Sequence, residues 1–244
     1  VAGAGTLSNP SGFVLGDPAS VLKLSGMNTI SGPVSLNTGT IDVDESSTLS
    51  SDLTLGGSAT IDVAQDKNLT YDGADLSLGA NTLTISGAGF LLNTNKLVLG
   101  NPLSVLKISG SNTVRGPVTL NSGVIDVDET SAFAGDLLLG GSATIDVAQG
   151  KSLTYGGATL SLGANTLTVA GAGTLLNTNG LVLSNPSSVL KILGSNTVSG
   201  PVSLSAGIID VDETSNLNSD LTLSGSATID VALDKTLTYQ GVSL

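Results

Sequence analysis

Twelve carboxylates recur in this chain at spacings that could hold a cation. Asp42, Asp44 and Glu45 return as Asp126, Asp128 and Glu129, and again as Asp210, Asp212 and Glu213, each time 84 residues further on. A second acidic position follows each group: Asp62, Asp146 and Asp230. Oxygen ligands gathered in such numbers suit calcium, which takes about six to eight. The alternative is a solvated acidic stripe: carboxylates ~4.8 Å apart on neighbouring strands repel by about 1 kcal/mol in water, and flanking lysines offset that repulsion. The glycine-rich calcium nonapeptide G-G-x-G-x-D is missing. Calcium is the only cofactor this reading admits.

Other chemistry is poorly provided for. The chain has no His and no Cys, so no side chain titrates near neutrality unperturbed, and no thiolate is available as nucleophile or zinc ligand. A single arginine, Arg115, cannot clamp a phosphate. Ser and Thr are abundant, but only carboxylates and lysines could activate them. GAGT at 3–6 and GAGF at 87–90 are not phosphate loops, because no helix follows either. No enzyme is expected. A polysaccharide-active site would be a unique constellation, whereas these residues recur every 84.

A net charge of −12 disfavours nucleic acid and anionic membrane surfaces as partners. No apolar run approaches the ~18 residues that span a bilayer, so no membrane insertion is expected in this segment. The opening VAGAGTLSNP has neither a basic n-region nor an apolar h-region.

The elements that must position the acids are short strands. Apolar and polar residues alternate in VLKL (21–24), TIDV (40–43), TIDV (60–63), TLTI (82–85), VLKI (105–108) and VIDV (124–127), bounded by Gly, Asn and Pro. Their starts lie 19, 20, 22, 23 and again 19 residues apart. One 84-residue repeat is therefore four rungs of about 21 residues, and the chain holds about eleven rungs.

Nine residues after each start stand Ile30, Leu49, Leu69, Leu91, Val114, Phe133, Leu153, Leu175, Val198, Leu217 and Leu237, all apolar. A third strand follows: PVSL (33–36), DLTL (52–55), DLSL (75–78), LVLG (97–100). Three strands per rung describe an all-β, parallel β-solenoid of triangular section. Right-handed winding is expected, because parallel crossovers almost always take that hand. Branched aliphatics fill such a narrow interior, which accounts for an aromatic content of 2%.

We expect one continuous solenoid over residues 1–244. It divides into a partial super-repeat at 1–40, full ones at 41–124 and 125–208, and a partial one at 209–244. Val1 aligns with Ile85 and Val169, and Leu244 with Leu76 and Leu160, so both termini fall mid-rung. This suggests an excerpt of a longer array, or a unit completed by end-to-end self-association.

On the first face the outward column is expected to run Lys23, Asp42, Asp62, Thr84, Lys107, Asp126, Asp146, Thr168, Lys191, Asp210 and Asp230. On the third face Ser35, Thr54, Ser77, Thr119, Ser161, Ser203 and Thr222 point outward, interrupted by Val98, Leu138 and Val182. An unbroken hydroxyl array could order water as ice-binding solenoids do, but ordinary β-propensity of Thr also explains it. Tyr71, Tyr155 and Tyr239 read as core or corner packing, with a sugar-stacking platform as the alternative.

One rung in four carries a longer phrase: SVLKLSGMNTISGPVSLNTGTIDV (20–43), SVLKISGSNTVRGPVTLNSGVIDV (104–127) and SVLKILGSNTVSGPVSLSAGIIDV (188–211). It resembles the autotransporter-associated repeat, roughly L-x-L-x-G-x-N-T-Y-x-G-x-T-x-I-x-x-G-x-L-x-V, of secreted β-helical passengers and filamentous adhesins. Ile30, Val114 and Val198 stand where that family has Tyr. The resemblance implies an extracellular, bacterial cell-surface protein that attaches cells to surfaces or to one another through a host or cell-surface ligand of unidentified chemistry. The expected role is the shaft of a large adhesin or autotransporter passenger. A self-assembling extracellular fibre is the alternative.

Overall fold

A computed structural model describes residues 1–241; Leu244, aligned above with a third-face strand, lies outside the described residues. The described residues contain strands and no helix, and every strand pairing is parallel. Three strands alternate around each rung, and each pairs with its counterpart in the rungs before and after. The result is a β-solenoid of about eleven turns.

The second face is one ladder of twelve strands, from Gly5–Ser8 to Leu237–Tyr239. The first face is likewise continuous, from Val21–Leu24 to the long strand Leu221–Val231. Away from the two end rungs, alternation gives each strand a buried inward set, and that set is the core. Leu24, Val43, Val63, Ile85, Ile108 and Val127 are all fully buried on the first face. Leu24, Val43 and Val63 stack directly on one another, as do Ile85, Ile108 and Val127, so apolar area is removed from water from rung to rung at about 25 cal/mol per Å².

The third face is not continuous. Phe13–Leu15, Val34–Leu36 and Leu53–Leu55 form one ladder, and Leu76–Ser77 through Leu137–Leu139 form a second. A third begins at Leu160–Ser161. Its later strands, Val202–Val211 and Leu221–Val231, run on through the corner into the first face, with a register irregularity between Leu204 and Ala206. That corner reads Ser205-Ala206-Gly207, where the earlier copies have Asn37-Thr38-Gly39 and Asn121-Ser122-Gly123.

The expected stacking register is corrected at two places per super-repeat. Thr84 does not stand beside Asp62: Ile61 pairs with Ile85, Asp62 with Ser86 and Val63 with Gly87. Thr82–Gly87 is six residues long, so it offers its last five residues to the preceding rung and its first four to Val105–Ile108. The next copy repeats this, with Asp146 against Ala170 and Thr168 against Lys191. On the second face Leu49 pairs with Tyr71 rather than Leu69, which pairs with Ser47. Phe133 with Tyr155 and Leu217 with Tyr239 follow the same rule. Each shift is by two residues, which leaves inward residues inward.

The phrase G-x-N-T has a packing reason. Asn112 and Asn196 turn their side chains inward, and their amides donate to the carbonyls of Ile85 and Val169 in the rung before. A Cβ on Gly110 would lie 2.7 Å from the Gly87 nitrogen, so the backbones of these corners approach too closely for any other residue.

Candidate functional site

The acidic phrase on the first face is held by lysines from two rungs. Asp126 is outward on Val124–Val127 and Asp128 lies just beyond that strand, so alternation aims both at the same side of the preceding rung. There Lys107 Nζ lies 2.7 Å from Asp126 and 2.5 Å from Asp128. Glu129 reaches the other way, 2.5 Å from Lys151 of the following rung. The first copy repeats the geometry with Lys23 on Asp42 and Asp44, and Lys67 on Glu45. The third repeats it with Lys191 on Asp210 and Asp212, and Lys235 on Glu213. An ammonium thus occupies the position between each pair of aspartates. Among the described residues no group of three or more acidic side chains is arranged to hold a metal ion.

The paired aspartates raise the pKa of the lysine between them. Hydrogen bonds that Lys23 donates to Asp42 and then to Asp44 push its pKa up to about 12. Asp126 and then Asp128 raise Lys107, and Asp212 and then Asp210 raise Lys191. The pairs are partly solvated, so each adds little stability.

The second acidic position differs between copies. Asp62 accepts a hydrogen bond from the Ser86 hydroxyl at 2.7 Å. Asp146 faces Ala170, which has no donor to offer. Burial, and then repulsion from Asp126 and Asp128, raise the Asp146 pKa. Asp230 pairs with Asp210 on the last first-face strand.

The breaks in the third-face ladder are closed by side chains. At the second break the Leu137 N–H donates to the Tyr155 hydroxyl at 3.0 Å, and the Ala158 N–H to Asp136 Oδ1 at 2.8 Å. The Asn165 amide donates to the Leu139 carbonyl at 3.3 Å. The first break has the same three bonds, through Tyr71, Asp52 and Asn81. Tyr71 and Tyr155 are each only 2% exposed, so they pack in the core and offer no stacking platform. Burial raises both of their pKa values. The ring needs the glycine two residues on, since a Cβ on Gly73 would lie 2.6 Å from the Tyr71 hydroxyl. The same breaks divide the third-face hydroxyl row between Thr54 and Ser77 and between Leu138 and Ser161.

Sequence reasoning missed the roles of Lys67, Lys151, Lys235 and the tyrosine hydroxyls. Both carried a signal: a lysine 22 residues after each glutamate, and T-Y-x-G in every copy.

No family model matches the chain. No solved structure matches it either. Over 220 residues, 88% of its length, the chain is 31% identical to outer membrane protein A of Rickettsia rickettsii. That stretch is only 8% of the relative. Nearly the whole of this solenoid is therefore similar to a short section of one long bacterial outer membrane protein.

Proposed function

We propose that this chain is a section of the shaft of a large bacterial surface protein, with a structural and non-catalytic role. The observation that carries the reading is the unbroken parallel ladder on two faces, in which the same side chains return every 84 residues. Such a stack makes length by repetition, and each rung contacts only its neighbours. The similarity to a short section of a much longer outer membrane protein supports a cell-surface setting. Adhesion would then belong to the whole protein, with this section supplying reach. The absence of His and Cys from the sequence and the recurrence of its acids in lysine-paired sets support the lack of catalysis.

Negative-stain electron microscopy of the purified chain over a range of concentrations tests this. Single rods of about 50 Å, eleven rungs at ~4.8 Å, are expected. Long unbranched filaments would favour the fibre-subunit alternative, and compact particles without an axial repeat would overturn both.

A further inference from the structure

Six of the eight cations of this chain are paired with the acidic phrases; Lys96 and Arg115 have no ion-pair partner among the described residues. Both are exposed, and both lie in the middle of the array. Neither belongs to the repeat: Lys96 corresponds to Gly12 and Gly180, and Arg115 to Ser31 and Ser199.

Lys96 borders a cleft of about 300 Å³ that opens where the third-face ladder is broken. Its wall carries Asp136, Thr119 and Thr159, and Leu138 and Pro117 add apolar surface. Leu138 is 57% exposed and stands where the other copies have Thr54 and Thr222; Thr159 replaces Asp75. Two residues before Pro117, Arg115 stacks 4.0 Å over the Phe90 ring, a position held by Thr6 and Thr174 in the other copies. At the cleft, the departures from the repeat supply a cation (Lys96), a hydroxyl (Thr159) and an apolar floor (Leu138), beside a carboxylate, Asp136, that every copy carries as Asp52, Asp136 or Asp220.

We infer that this cleft binds one acidic sugar residue of a glycan. The volume suits a single ring. The ring's carboxylate pairs with Lys96, its hydroxyls donate to Asp136 and to Thr159, whose own proton goes to the Asn179 carbonyl, and exchange hydrogen bonds with Thr119, and its C–H face lies on Leu138 and Pro117. An acidic peptide fits less well, because its acidic side chains carry no hydroxyl for Asp136 to accept from. The inference does not rest on the shaft reading: rod length tests one and ligand binding the other.

The test is a ¹⁵N–¹H NMR titration of the full chain with D-glucuronic acid and with N-acetylneuraminic acid, against methyl glucoside as the neutral control. An acidic sugar should shift the amides of Thr119, Leu138 and Thr159. Lys96→Gly and Leu138→Thr, which install residues the neighbouring copies already carry, should each weaken binding at least about tenfold with the other amide shifts unchanged. No shift at the cleft with either acid, equal binding of the neutral sugar, undiminished binding by both variants, or binding of an oligoglutamate peptide in place of the sugars would each overturn the inference.

Discussion

The Ser86 hydroxyl donates to Asp62 Oδ1 at 2.7 Å across two rungs. In the next copy the equivalent pair is Ala170 and Asp146, and the carboxylate has lost its donor. The two copies therefore differ in how an outward carboxylate between stacked strands is solvated.

Ala170→Ser should restore the bond and stabilise the chain by about 0.5–1 kcal/mol at pH 7, as read by chemical denaturation. Asp146 has a folded pKa above its ordinary value of 3.8, so its ionised form is a penalty at neutral pH. That penalty is relieved as pH falls through the folded pKa and is gone below 3.8. The gain from Ala170→Ser should shrink over the same window, and a gain that is constant with pH would exclude this cause.

Tyr155→Phe should cost about 1–3 kcal/mol, because the buried Leu137 N–H loses its acceptor. Amide hydrogen exchange should quicken at Leu137 before it does on the first face. Gly157→Ala should cost a similar ~1–3 kcal/mol by overpacking, since its Cβ would lie 2.8 Å from the Tyr155 ring.

Lys107→Met should destabilise by less than about 1 kcal/mol, since the ion pairs are partly solvated. The pH dependence has a definite sign. Because the folded pKa of Lys107 lies above 10.5, its contribution is fully present below pH 10.5 and is lost as pH rises through the folded value. The variant and the parent chain should therefore converge in alkali and stay apart at pH 5–9.

Leu106→Ala, in the middle of the fully buried first-face column, should cost about 2–5 kcal/mol. Because rungs contact only their neighbours, exchange protection should fall first in the adjoining rungs. Uniform loss over all eleven would contradict that one-dimensional coupling.

Chelation by EDTA should leave the melting temperature unchanged. Lys23, Lys107 and Lys191 already stand between the paired aspartates, and their ammoniums do there what a bridging cation would do. A fall of several degrees on chelation would restore calcium to the acidic phrase.

The sequence by itself determined the rung, the 84-residue period and the inward residues. A half-buried strand needs period two, and stacked copies need their apolar side chains in line, so Ile41, Ile61, Ile125 and Ile145 could occupy no other place. It also determined that the acids recur beside lysines. Only the tertiary structure decided the register at Ile61–Ile85 and Leu49–Tyr71, because sliding a strand by two residues keeps every side chain on its own face. Alternation cannot tell 22 residues from 24; the ladder hydrogen bonds can. That choice set Ser86 beside Asp62, turned the tyrosines into plugs for the broken third face, and left open at one of those breaks the cleft beside Lys96.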